Sequence, residues 1–221
     1  MSRILVDQVR SNSASGDAIT LDGNGKCAIN ATTINSLTFP TSDGSADQLL
    51  KTNGSGALSF GTVSAGITMA QQWRLTSSSQ GNQTPLTAWE AVDNGAPGSI
   101  GSAMSVSSGI FTYPSTGIYL ILFTLSGYSD NHTQNVIGTI NHTVNNGSNW
   151  ITCGSGFDGI YDFNNSYPSW GDTFIMHMVD ITDLSNHKTR FVYGAGQGGE
   201  YVHGNSDYSY TTVTFIRLGA T

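Results

Sequence analysis

The sequence predicts an all-β protein: a jelly-roll head preceded by a polar, β-rich N-terminal stalk. Three observations predict it. From Ile118 to Phe123 six residues are apolar without a break. Strand side chains alternate between two faces, so both faces of this strand must leave water. Only 10% of residues are charged, against about 25% in an average domain. Gly, Ser, Thr and Asn fill the gap, as in chains built from strands and turns. Finally, no stretch carries a helical 3.6-residue period of useful length. One face of the 118–123 strand enters the core of a sandwich. The other needs a second partner, most simply another subunit.

The chain divides near residue 66. Residues 1–65 hold short apolar groups: Ile4, Leu5, Val6 and Val9; Ile19 and Leu21; Ala28, Ile29 and Ile34; Leu37 and Phe39; Leu49 and Leu50; Leu58 and Phe60. Turn signals such as Asp22-Gly23-Asn24-Gly25, Asp43-Gly44 and Asn53-Gly54-Ser55-Gly56 separate them. No single group buries enough surface to offset the entropy of ordering the segment. The segment is therefore either a disordered linker or a rod in which three chains pool their apolar groups. The Asp17–Asp22 and Cys27–Asn30 stretches read as a hairpin, which favours the rod.

Residues 66–221 read as a succession of eight to ten strands. Gln71–Thr76 comes first, with Trp73 and Leu75 on one face, and Thr84–Gly101 is mostly loop anchored by Trp89. Ile110 and Phe111 lead into the Pro114 turn and the central strand Gly117–Gly127. Gln134–Val144 alternates, placing Val136, Ile140, His142 and Val144 on one face, and ends in the turn Asn145-Asn146-Gly147. Strands at 150–153, around 157–163, and at 173–181, 189–193 and 210–218 complete a pattern that suits two packed sheets.

Composition narrows the function. The formal charge is −7 with eight Lys plus Arg and no basic run, so the phosphate contacts that nucleic-acid binding needs are missing. Few charges also leave strand edges unprotected, which calls for closure or oligomerisation. No 18-residue apolar run exists, so no membrane insertion is expected. The start, Met1-Ser-Arg-Ile-Leu-Val-Asp, does not read as a secretory leader. Synthesis in a reducing cytoplasm is expected, with Cys27 and Cys153 as free thiols.

The stretch Phe111-Thr-Tyr-Pro-Ser-Thr-Gly-Ile-Tyr-Leu-Ile-Leu-Phe resembles the signature of the complement-one-q / tumour-necrosis-factor superfamily. The strand at 136–144 with its turn, and the closing Thr211-Thr-Val-Thr-Phe-Ile-Arg-Leu, follow in that family's order. The resemblance covers roughly 68–220 and implies a ten-stranded jelly roll that trimerises about its inner strands. Tyr119, Ile121, Phe123 and Leu125 would then mark the strand of the core and trimer interface. The pattern Asp43-Gly-Ser-Ala-Asp-Gln-Leu-Leu-Lys-Thr-Asn-Gly-Ser-Gly-Ala-Leu-Ser-Phe is similar to the linker of tailed-bacteriophage fibre proteins, notably those of marine phages. That resemblance implies a virion fibre or spike, exposed on the particle after assembly in the host bacterial cytoplasm. Ile4, Leu5, Val6 and Val9 would anchor it to other virion proteins, and the head would meet a host glycan or outer-membrane component. A capsid decoration or adaptor with a purely structural role is the alternative, and a polysaccharide-degrading spike a distant third.

No enzyme signature accompanies this. Gly194-Ala-Gly-Gln-Gly-Gly199 satisfies a dinucleotide-loop spacing, but no helical pattern follows it, so it reads as a loop between strands. His132 and His142 lie ten residues apart, as do His177 and His187, a spacing that matches no zinc motif; interior or interface histidines are expected. Asp158, Asp162, Asp172, Asp180 and Asp183 could offer oxygens to calcium, but no Asp-x-Asp-x-Asp loop occurs. No Gly-x-Ser-x-Gly elbow exists. The reading is no enzyme, no catalytic residue, no metal site and no cofactor, with calcium left open. More suggestive are the aromatic rings among Asp, Asn and Ser: Trp150, Phe157, Tyr161, Phe163, Tyr167 and Trp170, then Tyr201, Tyr208 and Tyr210. Such loops suit sugar or protein surfaces, as well as sandwich caps and subunit contacts.

Overall fold

A computed structural model describes residues 8–9, 19–21, 27–29, 33–62, 66–95, 98–129, 134–160, 168–196 and 199–221. The chain forms two compact units, Met1–Ala65 and Gly66–Thr221. In the first, β1 (Gln8–Val9), β2 (Ile19–Leu21) and β3 (Cys27–Ile29) form an antiparallel three-stranded ladder. β4 (Thr33–Ile34) pairs with β5 (Leu37–Thr38), and β6 (Gln48–Thr52) with β7 (Leu58–Thr62). Asn35 and Ser36 join β4 to β5 with φ of 49° and 68°, the double left-handed step of a two-residue hairpin. The Asn53 carboxamide oxygen accepts from the backbone of Ser55 and Ala57 and holds the β6–β7 turn. Ile34, Leu37, Leu49 and Leu50 remain exposed. Of the expected anchor residues, Ile4, Leu5 and Val6 lie outside the described residues, and Val9 pairs with Ile19 in the ladder.

The second unit is a two-sheet jelly roll, with twelve strands and no helix among the described residues. The strands are β8 (Met69–Leu75), β9 (Ser77–Gln80), β10 (Trp89–Ala91), β11 (Ser105–Ser107), β12 (Ile110–Thr112), β13 (Gly117–Ser129), β14 (Gln134–Thr143), β15 (Ile151–Ile160), β16 (Ser169–Ile181), β17 (Lys188–Ala195), β18 (Tyr201–Asn205) and β19 (Thr212–Gly219). The larger sheet runs β10-β8-β19-β13-β18-β9, with β16 along the other edge of β13. The smaller runs β11-β12-β17-β14-β15. The chain crosses between sheets from β10 to β11, β12 to β13, β13 to β14, β15 to β16, β16 to β17 and β17 to β18, the Greek-key path of a jelly roll.

Alternation along β13 decides what the unbroken apolar run does. Tyr119, Ile121, Phe123 and Leu125 are wholly buried inside the sandwich. They belong to the core of one chain. Ile118, Leu120 and Leu122 take the opposite face and are half-buried. The expectation joined core and trimer interface in the first set; the structure gives these four residues their core role.

The motif around Pro114 also acquires a physical reason. Phe111 is the hub of the core, with ring contacts to Trp73, Trp89, Phe191 and Phe215 at 5.1–5.8 Å. Gly117 has φ of 139°, and a Cβ there would run into the carbonyl of Gly219. The Tyr119 hydroxyl donates to the Ser115 carbonyl at 3.0 Å, pinning the turn to the strand that follows it.

Two further features depart from the sequence pattern. Val144, expected beside His142, lies beyond the end of β14 and is exposed. Arg74 sits between the inward Trp73 and Leu75, yet is itself buried, held by Glu90 at 2.7 Å and Asp93 at 2.6 Å. Burial works against its charge, but the two carboxylates outweigh that and raise its pKa. Where β14 and β15 pass β16, glycines let the sheets close in: a Cβ on Gly138 of β14 or Gly154 of β15 would approach Ile175 to 2.8 Å.

Candidate functional site

The outward face of the larger sheet gathers the side chains with the clearest call for a partner. On β16 the odd positions Thr173, Ile175, His177 and Val179 turn inward or are half-buried. The even positions Phe174, Met176 and Met178 are 61%, 62% and 59% exposed. Ladder register sets Met178 beside Leu120 and Met176 beside Leu122, with Ile216 of β19 on the far side of Leu120. Isolated exposed apolar residues need no explanation, but a contiguous stripe on a flat sheet does. Three large, flexible side chains at alternate positions of one strand form a surface that another apolar surface would cover.

Toward the end of β13 the stripe gives way to Thr124 and Ser126, then to a cluster of rings. Tyr128 stacks on Tyr201 at 4.8 Å and leans on Trp170 at 4.9 Å. Trp170 meets His203 at 4.8 Å, His203 stacks on Tyr210 at 3.8 Å, and Tyr208 follows at 5.9 Å. Ser126, Trp170, Asp172, His203 and Tyr210 line a cleft of about 290 Å³. Trp170 and Tyr208 are exposed, and Asp172 lies at the rim. Burial pushes the His203 imidazole below its ordinary value, while the Asp172 carboxylate acts in the opposite sense. His203 Nδ1 is buried without a hydrogen-bond partner among the described residues. Rings that offer flat faces, with a carboxylate, a hydroxyl and an imidazole at their feet, can stack on the apolar face of a sugar and bond its hydroxyls.

The structure thus brings together Trp170, Tyr201 and Tyr208 from the expected surface residues. It adds Tyr128, His203 and Ser126, which the sequence reading did not select, and Asp172, which that reading named only as a possible calcium ligand. Phe157 is 78% exposed but stands on β15 in the smaller sheet. Trp150 lies in the β14–β15 loop beneath Arg190. Tyr161, Phe163 and Tyr167 lie outside the described residues, as does His132. The alternation Trp170-x-Asp172-x-Phe174-x-Met176-x-Met178 is a visible period-two signal and could have revealed the stripe.

Histidine pairing follows the fold, not the ten-residue spacing. His142 Nε2 meets His187 Nδ1 at 3.2 Å, and His142 Nδ1 meets the Thr189 hydroxyl at 3.0 Å. That hydroxyl also bonds Tyr113 at 2.5 Å. Burial, with His187 and His177 nearby, lowers the pKa of His142 to about 4. Cys153 is a free thiol whose pKa burial raises. The sequence between Gly194 and Glu200 leads into strand β18 rather than a helix.

No protein-family model matches the chain and no curated protein matches it. Solved structures do. The chain is similar to murine APRIL, in its crystal structure at pH 5.0, with a TM-score of 0.50 and 10% identity over 68% of this chain and 98% of that one. It is also similar to Eiger TNF from S. frugiperda, with a TM-score of 0.50 and 10% identity over 70% of this chain and 95% of that one. At this identity the likeness shows the fold: the head is a TNF-like jelly roll.

Proposed function

We propose that this chain is the subunit of a homotrimeric fibre or spike on a bacteriophage virion. Residues 1–65 serve as stalk and anchor, and the head meets the host surface. The observation that carries self-association is the exposed stripe of Phe174, Met176 and Met178 beside Leu120 and Leu122. An apolar surface of this kind gains on burial about 25 cal/mol per Å² removed from water, before the costs of association. In the first unit, Leu49 and Leu50 are exposed on the two faces of β6, and none of the residues 34–62 is buried. Pooling such residues from three chains supplies the burial that one chain lacks. The phage reading draws support from the fibre-like linker pattern of residues 43–60. The aromatic cleft beside the stripe supplies the host contact, and three copies on one head give avidity from weak single sites.

Two measurements on the full chain test this. Native mass spectrometry should give three times the mass of one chain; a single chain overturns the assembly. Fluorescently labelled protein should attach to host bacteria, and Trp170→Ala should reduce attachment by at least about tenfold, the loss of one well-placed stacking ring. A trimer that binds no cells, and that antibodies locate on the capsid surface, would favour the decoration role instead.

A further inference from the structure

The smaller sheet also has an outward face, and one corner of it concentrates positive charge in a strongly acidic unit. From residue 66 onward the chain has ten carboxylates and four cations: Arg74, Lys188, Arg190 and Arg217. Arg74 is bound to Glu90 and Asp93. Arg217 is tied to the Thr116 carbonyl and the Thr68 hydroxyl. Lys188 and Arg190 lie two apart on β17, so they share one face, and neither forms an ion pair among the described residues.

Both cations are held in place. The Arg190 guanidinium lies 4.3 Å from the centre of the Trp150 ring, and its Nε donates to the Asn141 side-chain oxygen at 3.3 Å. Its terminal nitrogens have no hydrogen-bond partner among the described residues. The Lys188 ammonium donates to the Leu184 carbonyl at 2.8 Å, which leaves two of its three donors. The β12–β17 ladder sets Ile110 beside Arg190 and Thr112 beside Lys188. Ile110, Thr112 and Lys188, with Ser107, Asn146 and Trp150, border a cleft of about 350 Å³, and Arg190 flanks it as the ladder partner of Ile110 and against the Trp150 ring. Its outer wall is ordered: the Thr143 hydroxyl donates to the Asn145 side-chain oxygen at 2.8 Å and accepts from the Gly147 backbone at 3.1 Å. A site whose walls are already fixed loses little entropy on binding.

We propose that this cleft binds a carboxylate-bearing sugar, a uronic-acid unit of an acidic surface polysaccharide. Its carboxylate lies between Lys188 and Arg190, and its ring passes over Ile110 and the edge of Trp150. Two fixed cations suit one carboxylate and are too few for a phosphate polymer. The half-buried Ile110 offers an apolar floor, and the short hydroxyls and amide of Ser107, Thr112 and Asn146 suit sugar hydroxyls. As the source of the polymer, the inference rests on the host contact proposed above; the site and its chemistry do not.

Isothermal titration of the full-length chain with tetragalacturonate tests it, with neutral galactotetraose and tetraglutamate as comparisons. The expected result is binding of tetragalacturonate at least about tenfold tighter than either comparison. Lys188→Gln should weaken it by about tenfold without changing the melting temperature, and Arg190→Gln should do likewise. Equal binding of the neutral sugar, equal binding of the peptide, no uronate binding, or full affinity in Lys188→Gln would each overturn the proposal. Attachment to cells is scored separately. Uronate binding without attachment overturns the host contact and leaves this site standing; attachment without uronate binding does the reverse.

Discussion

Leu122 and Met176 are register partners on adjacent strands, and both side chains stand on the outward face of the larger sheet. A charge at position 176 would have to be desolvated in any interface formed there, but it costs an isolated head almost nothing. In the trimer proposed above, Met176→Glu is therefore expected to reduce the native mass from three chains to one. The far-ultraviolet circular dichroism should stay that of a β protein, and the intrinsic stability of the head should change by less than about 0.5 kcal/mol. A trimer that survives this substitution would place its interface elsewhere.

Phe111 and Phe174 are the same residue type in opposite settings. The first is wholly buried at the centre of the ring cluster; the second is 61% exposed. Phe111→Ala should cost about 3–5 kcal/mol in urea unfolding, from lost burial plus the cavity left behind. Phe174→Ala should shift the unfolding of dissociated chain by less than about 0.5 kcal/mol. Similar costs for the two would show that Phe174 is not on an open face.

Gly156 lies where β15 presses on β16. A Cβ there would overlap the Thr173 hydroxyl and approach Ile175 Cγ1 to 2.9 Å. Gly156→Val must force the sheets apart or push Ile175 from its rotamer, at about 1–3 kcal/mol. The expected readout is a melting temperature lower by several degrees. An unchanged melting temperature would mean that the sheets do not close at this edge.

His142 links stability to pH. Burial, with His187 and His177 nearby, lowers its folded pKa from 6.5 to about 4. Above pH about 6.5 both folded and unfolded chains hold it neutral, and it contributes no slope. As pH falls from there to about 4, the unfolded chain takes up a proton that the folded chain refuses, so stability is lost across this window. Burial also lowers His177 and His203, which add to the loss in the same sense. Melting temperatures measured from pH 7 to pH 4 should fall, and His142→Gln should flatten part of that fall. An identical pH profile in the variant would exclude His142 as a source.

Much of the head was legible because strand signals are local. The apolar run at 118–123, the turn residues at 145–147 and the alternation at 134–143 need only a few neighbours to be read. Phe111, Gly117 and Tyr119 stood out as a motif, and the structure supplies their roles as hub, close approach and pin. The burial of Arg74 was not legible, because it depends on Glu90 and Asp93 arriving from a segment that reads as mostly loop. The meeting of His142 with His187 was illegible for a similar reason: it comes through the antiparallel pairing of β14 with β17, which no spacing in the sequence records.

The sequence by itself determined that this chain would be built of strands, and that the strand at 118–123 would have two apolar faces, because backbone geometry makes side chains alternate whatever lies around them. Only the tertiary structure decided that Tyr119, Ile121 and Phe123 face inward while Leu120 and Leu122 face outward beside Met178 and Met176. It alone assembled Tyr128, Trp170, Tyr201 and His203 into one cluster of rings. Which face is inside, and which distant strands become neighbours, depend on register and on the packing of one sheet over another. Both are settled by the burial of the whole core rather than by any one segment.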